Sequence, residues 1–277
     1  MGCILCGCTT DNIIYDGEIR IGKQGVVDRK VLKCSNCGLE RLDKFYGAEK
    51  YEEGEYHDHT RNPEFEVQDK EQRHYFNYLP SLRHKTVVDV GTGMGNFLDY
   101  AGFVAKNVIG VEPDENLRKH IPYRTYPYIE DVPSNIAEMV VSFNVIEHVE
   151  DPVKFAEEIK RVLTPYGGRA YIVTPNLDCL LVGVSEEYRK FWRRAAHNWY
   201  FDPRTLADCM RCAGLRVEKV IPVHRRGLSN TLLWLRDGKP PDDRRLPQIS
   251  RGMDNAWRGY LEDNMMSERI MVEVVKD

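Results

Sequence analysis

The chain has 277 residues, 42% of them hydrophobic and 30% charged, with 39 Lys and Arg set against 43 Asp and Glu. That length allows one substantial core with a small appendage, and the composition is that of an ordinary globular protein, which excludes wholesale disorder. A formal net charge of −4 argues against broad binding to phosphate backbones, so nucleic acid is not the expected partner.

The first residues, MGCILCGCTTDNIIYDGEIR, lack the basic stretch and apolar run of a secretory signal, and no later apolar run reaches about 18 residues. The expected location is the cytoplasm, with no membrane partner. Gly2 is not read as a lipidation site, because Cys6 occupies the place where that pattern needs Ser or Thr. In a reducing compartment eight cysteines point to metal ligation or small buried hydrophobes, not to disulfides. Cys3-x-x-Cys6 and Cys34-x-x-Cys37 form two knuckles, each followed by a glycine, Gly7 and Gly38. A hairpin of Ile13 to Ile21 and Val26 to Lys33 brings the pairs together as four thiolates around a structural zinc ion. The competing readings are an iron site and four unrelated thiols. Cys8 lies off the pattern. Cys209-x-x-Cys212 falls at the end of a helix that starts after Asp202, where the dipole raises thiol pKa values, so these two read as packing residues.

Residues 1–43 are therefore read as a four-cysteine zinc-binding ribbon, and 44–80 as a tyrosine-rich linker or flap, including Tyr51 and Tyr56, followed by a helix that stops at Pro80. Residues 81–277 form the main domain. Within it, apolar strands alternate with helices: strand 85–90, helix 96–104, strand 107–111, helix 115–120, strand 139–143, amphipathic helix 152–163, strand 170–174, helix 203–213, and strands 217–223 and 269–275. Strands apolar on both faces imply a parallel sheet covered on both sides, an α/β fold. Residues 225–268 are a long polar excursion before the last strand, with room for a helix or two.

The first strand of this series ends in Asp89-Val90-Gly91-Thr92-Gly93-Met94-Gly95-Asn96. Glycines at the carboxyl end of such a strand permit positive φ and close approach of backbone to a ligand. A dinucleotide fingerprint needs G-x-G-x-x-G, and Asn96 stands where its last glycine belongs. What remains is G-x-G-x-G with an acid two places before it. The next strand closes on Glu112, a carboxylate able to accept both hydrogen bonds of a ribose diol.

These residues, with "VVSFNVIEHVEDP" and "EIKRVLTPYGGRAYIVTPN" further on, resemble the class I S-adenosylmethionine-dependent methyltransferases over about residues 73–223. The resemblance implies a doubly wound, Rossmann-like, mostly parallel seven-stranded sheet with an antiparallel last strand. It implies that Asp89 and the Gly91, Gly93 and Gly95 loop hold the methionyl end of S-adenosyl-L-methionine, Glu112 the ribose and Asp131 the adenine amine. Asn144 lines the pocket of the methyl donor, and Thr92, Asn96, Phe97 and Pro113 complete the cofactor-binding set. His148 and His197, with Asn144, are the candidate catalytic residues. His197 lies in an H-x-x-x-F stretch resembling one that faces the acceptor in sugar and quinone enzymes, and Trp199 and Tyr200 beside it read either as walls of the acceptor pocket or as packing residues.

The boxes that mark methylation of nucleobase amines or of cytosine carbon are missing: strand four reads Ser142-Phe143-Asn144-Val145. The paired cysteines and the stretch "DNAWRGYLEDNMMSERIMVEVVK" are similar to methyltransferases acting on sugars in polysaccharide or natural-product pathways. The expected acceptor is therefore a small molecule, a hydroxyl on a nucleotide-linked sugar. Two rivals are a tRNA or protein methyltransferase that docks through the ribbon, and a non-catalytic cofactor-binding activator subunit. The basic stretches "YRKFWRR" and "HRRG" serve either a docking surface or a pyrophosphate.

Overall fold

The computed structural model describes residues 2–21, 25–45, 63–241 and 244–277, with side chains described from residue 68 within the first helix. Tyr51, Tyr56, most of the expected flap and the turn of the expected hairpin lie outside the described residues. The chain divides into two compact units. One comprises residues 1–46, 175–206 and 221–271; the other comprises 47–174, 207–220 and 272–277.

The second unit is built on a seven-stranded sheet. Its strands are β4 (Thr86–Val90), β5 (Asn107–Val111), β6 (Arg124–Tyr126), β7 (Met139–Phe143), β8 (Arg169–Pro175), β10 (Arg216–Val223) and β11 (Arg269–Val275). The order across the sheet is β10-β11-β8-β7-β4-β5-β6. β4, β5, β6, β7 and β8 pair in parallel. β11 runs the other way: Lys276, just past its end, exchanges backbone bonds with Gly167 and Gly168, just before the start of β8. The fold is thus the expected α/β, mostly parallel Rossmann-like sheet with an antiparallel end. Val87, Val88, Val140 and Val141 are fully buried, as a strand covered on both faces requires.

The helices of this unit begin where capping chemistry allows. Helix α1 (Pro63–Phe76) precedes the sheet. α2 (Asn96–Gly102) starts from Gly95 in the left-handed region. α3 (Glu115–Arg118) is capped by Asp114, whose carboxylate accepts from Asn116 N at 2.7 Å. α4 (Pro152–Val162) is capped by Asp151, has Pro at its first position, and buries Phe155, Ala156, Ile159 and Val162. α7 (Pro203–Cys212), whose first residues belong to the other unit, starts after Asp202 as expected; there Thr205 N donates to Asp202 Oδ1 at 2.6 Å. α2 stops two residues short of the expected end, because Val104 and Ala105 both fold back to bond the Ala101 carbonyl.

The first unit holds a four-stranded sheet in the order β1-β2-β3-β9, from Asp11–Arg20, Val26–Cys34, Glu40–Leu42 and Trp199–Tyr200. β1 and β2 form the expected hairpin. Helices α5 (Leu180–Val184), α6 (Glu186–Trp192), α8 (Leu228–Asp237) and α9 (Arg251–Asp263) complete it. Its core gathers Ile19, Val31, Leu42, Cys179, Trp192, Tyr200 and Trp234.

Within the large sheet one polar side chain ties three strands. Glu273 on β11 accepts from Arg169 at 2.6 Å and from the buried Tyr171 hydroxyl at 3.0 Å, both on β8, and pairs with Lys219 of β10 at 3.3 Å. Glu273→Ala strands the phenol without an acceptor, so urea unfolding is expected to lose about 1–3 kcal/mol. Glu273→Gln, which keeps an acceptor oxygen, is expected to recover part of that loss.

Candidate functional site

The chain leaves β4 toward β5 on one side and reaches β7 on the other, so the ligand crevice of such a sheet opens at the carboxyl ends of β4 and β7. β4 ends at Val90 and turns at Gly91, with φ +78. A Cβ there would stand 2.2 Å from Val145 Cγ2, so only glycine fits. The amides of Gly91 and Thr92 both donate to the Val111 carbonyl, at 2.8 and 3.0 Å, and Gly93 N donates to Glu112 Oε2 at 2.9 Å. The first amides of the glycine loop thus hold the tip of β5, and the face the loop leaves bare is its Cα surface. Above Gly93, with φ +57, the nearest atom to an added Cβ is Gln68 Oε1 at 3.8 Å.

Three carboxyl groups converge beside this loop. Glu112 is buried, and its other oxygen accepts from Asp114 N at 3.1 Å. A carboxylate offers about four acceptor positions, so two remain beyond those held by backbone amides. Burial raises the Glu112 pKa. Arg118 donates to the carbonyls of Glu112 and Pro113, at 2.7 and 2.5 Å. The Asp89 carboxyl is pushed up to about 7 by burial above all, with the Glu112 charge adding and the Thr92 hydroxyl opposing. Asp89 Oδ2, Asp114 Oδ2 and both side-chain polar atoms of Asn96 are buried without a hydrogen-bond partner. Buried groups left so call for a partner from outside the chain, such as ordered water, an ion or a bound ligand. Acidic acceptors and an amide suit a ligand that carries hydroxyls, amines and positive charge. The same acids oppose the pyrophosphate of a dinucleotide, so the residues fit an adenosyl sulfonium.

Helix α1 supplies residues that the motif reading misses. Gln68, Gln72 and Tyr75 share one helix face by their spacing. Gln68 reaches over Gly93, Gln72 Oε1 is buried without a partner, and the buried Tyr75 hydroxyl accepts from Asn144 Nδ2 at 3.5 Å. Arg73 locks α1 to α2, donating to the Tyr100 hydroxyl at 2.6 Å and pairing with Asp69 at 2.9 Å. Asp114, the other missed residue, is recognisable as the cap of α3. Pro113 and Phe97 lie where the motif puts them, with Phe97 fully buried against Phe143.

Asn144 follows β7 with φ +58, its amide bonded to the Val173 carbonyl at 2.8 Å. Asp131 is exposed in a short 3-10 turn and accepts from Tyr128 N at 3.3 Å, so one of its oxygens serves its own turn. His148 comes next to the buried Glu147, whose Oε2 accepts from the Thr174 hydroxyl at 3.0 Å and whose Oε1 lies 3.9 Å from His148 Nε2. His197 belongs to the other compact unit, where it is buried just before β9. Trp199 and Tyr200 are both buried there, Tyr200 in the core of that unit. Cys209 is fully buried and Cys212 exposed, so only the first packs as expected.

In the first unit the four ribbon cysteines meet. Cys3 and Cys37 Sγ are 3.4 Å apart and Cys6 and Cys34 Sγ 3.6 Å, with all four sulfurs within 4.8 Å of one another. A tetrahedral zinc with bonds of about 2.3 Å places its sulfurs about 3.8 Å apart, so the donor set has the right size. Gly7 and Gly38 take φ +70 and +74, and their amides close each knuckle onto the carbonyls of Cys3 and Cys34. Cys8 contacts Ser35 Oγ at 3.5 Å.

The two inner glycines are separable by experiment. Gly91→Ala, with a backbone it cannot adopt and a clash with Val145, is expected to lower the melting temperature and abolish ligand binding. Gly93→Ala meets open space and carries only the left-handed strain, about 1–2 kcal/mol. Calorimetry is expected to show weakened binding with a modest melting shift.

Residues 64–220, more than half of the chain, match the family model described as a methyltransferase domain. A probable S-adenosylmethionine-dependent methyltransferase of Mycolicibacterium smegmatis is 32% identical over 155 residues, covering 52% of this chain and 58% of that protein. The human mitochondrial ubiquinone biosynthesis O-methyltransferase is 31% identical over 171 residues, covering 53% and 46%. The chain thus spans about half the length of the curated relatives it matches. Among solved structures, a SAM-dependent methyltransferase of Archaeoglobus fulgidus superposes with a TM-score of 0.52 at 16% identity, over 76% of this chain and 94% of that one. A chain of the complex between the Haloferax volcanii Trm112 methyltransferase activator and a methyltransferase gives 0.53 at 17%, over 78% and 99%. With the family match over residues 64–220 and the sheet order and glycine loop described above, the chain belongs to the methyltransferase-domain family, in the class I, S-adenosylmethionine-dependent form of the fold.

Proposed function

We propose that the protein transfers a methyl group from S-adenosyl-L-methionine to a hydroxyl of a small molecule, a nucleotide-linked sugar being the first choice. The carrying observation is the acidic crevice: buried Asp89, Glu112 and Asp114 with the unpartnered Asn96 amide, a lining that matches a cation bearing a diol and an amine. In this reading Asp89, Gly91, Thr92, Gly93, Gly95, Asn96 and Phe97 hold the methionyl end, assisted by Gln68 and Gln72. Glu112 and Pro113 hold the ribose, and the free oxygen of Asp131 takes the adenine amine. The ubiquinone enzymes among the relatives are named as O-methyltransferases, which supports a hydroxyl acceptor. The sugar rests on the resemblance of the cysteine pairs and the C-terminal stretch.

When bound, the cofactor supplies an electrophilic methyl carbon on a positive sulfur. The chain's part is alignment and one proton. Asn144, held in the left-handed region at the tip of β7, shapes the donor side. His148 accepts the hydroxyl proton as the oxygen attacks, and Glu147, oriented by Thr174, stabilises the imidazolium that results. His197 is the alternative base, and replacement of each histidine separates the two: the true base loses kcat with KM for the cofactor unchanged. The four cysteines hold a structural zinc ion, and Cys34→Ser is expected to release it and lower the melting temperature.

The acceptor is tested by turnover of labelled cofactor against nucleotide sugars, polyprenyl-type phenols and tRNA. Methylation of tRNA alone would overturn the small-molecule reading, and no turnover with any acceptor would favour an activator subunit. The Asp89 carboxyl gives a pH signature. Burial favours its neutral form below about 7, so the folded protein loses stability as pH rises through that value, while the unfolded aspartate ionises freely. A cationic ligand favours the ionised form. Binding at pH 6 is therefore expected to release a proton, read by calorimetry in two buffers of different ionisation enthalpy, and affinity to rise toward pH 7. Asp89→Asn is expected to abolish the release and weaken binding at least about tenfold, the equivalent of about 1.4 kcal/mol.

A further inference from the structure

The segment His197-Asn198-Trp199-Tyr200 takes its strand pairing from the cysteine ribbon. β9 pairs antiparallel with β3, Glu40 opposite Tyr200 and Arg41 opposite Trp199. Leu42 N donates to the Asn198 carbonyl at 3.0 Å, and Phe45 packs on Trp199 with ring centroids 5.0 Å apart. β3 begins three residues after Cys37, and the knuckle before it is closed by Gly38 N on the Cys34 carbonyl and Cys34 N on the Leu39 carbonyl. From the other end Arg204, at the start of α7, donates to the Cys37 carbonyl at 2.5 Å, its guanidinium over Gly38. A bracket thus runs from the second knuckle along β3 to Asn198–Tyr200 and returns through Arg204.

A strand of two residues cannot hold itself extended, and β3 has only three. β3 is paired along one edge with β2, through Val31, Leu32 and Lys33, and the Cys34 to Cys37 turn sets where that pairing starts and so where β3 meets β9. Tyr200 and Glu40 are buried, so a loosened β3 would withdraw buried contacts as well as backbone bonds. We infer that the four-cysteine site is the positioning device of the His197–Tyr200 segment: metal bound at Cys3, Cys6, Cys34 and Cys37 sets β3, β3 sets β9, and Arg204 is the positioning residue that ties the knuckle to the helix after it. The inference rests on the zinc reading and, for its link to the acceptor, on the proposed function. It gives the ribbon a role beyond folding its own hairpin.

Hydrogen exchange read by mass spectrometry on the full chain tests it without any acceptor. Three states are compared: metal-loaded protein, protein after chelation under reducing conditions, and Arg204→Ala with its metal content measured. Chelation is expected to lower protection in peptides covering 198–200 by about tenfold or more, while peptides of β4 and β7 keep theirs and cofactor affinity stays within about twofold. Arg204→Ala is expected to lower the same peptides with metal content intact, and Arg204→Lys to restore part of the protection. Unchanged protection at 198–200 after metal loss overturns the inference, as does a loss shared equally by β4 and β7. A chain that never retains metal overturns the zinc reading with it, and the Arg204 pair then reports on the strand link alone.

Discussion

Two hydrogen bonds to one oxygen organise the cofactor side of this protein. The amides of Gly91 and Thr92 both end on the Val111 carbonyl, joining the tips of β4 and β5. They form only if the chain turns sharply at Gly91, and it turns there because no Cβ fills the space that Val145 occupies. With the turn made, Gly93 N reaches Glu112, Gly95 enters the left-handed region, and α2 starts on it. Glu112 is thereby held by amides on two sides, from Gly93 and from Asp114, and its remaining acceptor positions are left for a ligand. The glycines serve the architecture of the two strand ends first; the bare surface for the ligand is a by-product of the same geometry.

The other compact unit solves a different problem. It has little parallel sheet of its own and assembles a small antiparallel one from the hairpin, the strand after the second knuckle and two residues from far along the chain. Short strands are stable when their neighbours are fixed by something stiffer than strand pairing, and the metal proposed for the four cysteines, whose sulfurs lie within 4.8 Å of one another, would be such a fixture. The sheet carries buried charge at its margin: Glu40, raised in pKa by burial, is held by Lys33 at 3.2 Å, and Arg41 pairs with Asp11 at 2.6 Å. These pairs bind β3 to β2 and β1, so the pieces of the ribbon that reach β9 are each anchored twice.

Local features were legible in the sequence to the extent that their causes are local. The apolar strands, the Asp202 start of α7 and the hairpin follow from patterns among near neighbours, and the structure has them; the two Cys pairs, 28 and 34 residues apart at their contacts, meet because that hairpin returns the chain. The glycine loop was legible as a loop, but the destination of its amides was not, because Val111 lies on another strand. Gln68, Gln72 and Tyr75 had a readable helical spacing, yet nothing in that spacing says which ligand the face addresses. Trp199 and Tyr200 read as wall or as packing with equal ease, and burial in the first unit assigns Tyr200 to the core. The make-up of the two units was illegible altogether: residues 175–206 and 221–271 join residues 1–46 through contacts no short window contains.

The charge pattern of the crevice decides among ligands more sharply than its shape does. Asp89, Glu112 and Asp114 are all nearly sealed from solvent, and Arg118, whose charge acts on Glu112, gives its hydrogen bonds to the carbonyls of Glu112 and Pro113. A buried acid without a paired cation lowers its cost by taking up a proton, and the raised pKa values of Asp89 and Glu112 express that. An anionic ligand would push both further up and oppose itself. A cationic one reverses the shift, so part of its binding energy is spent on ionising Asp89 and the rest appears as affinity. The cost falls as pH approaches 7, where Asp89 is already half ionised. On the proposed reading the site selects positive charge in a manner that depends on pH, and one of its acids, Glu112, also holds the Gly93 amide beside the tip of β4.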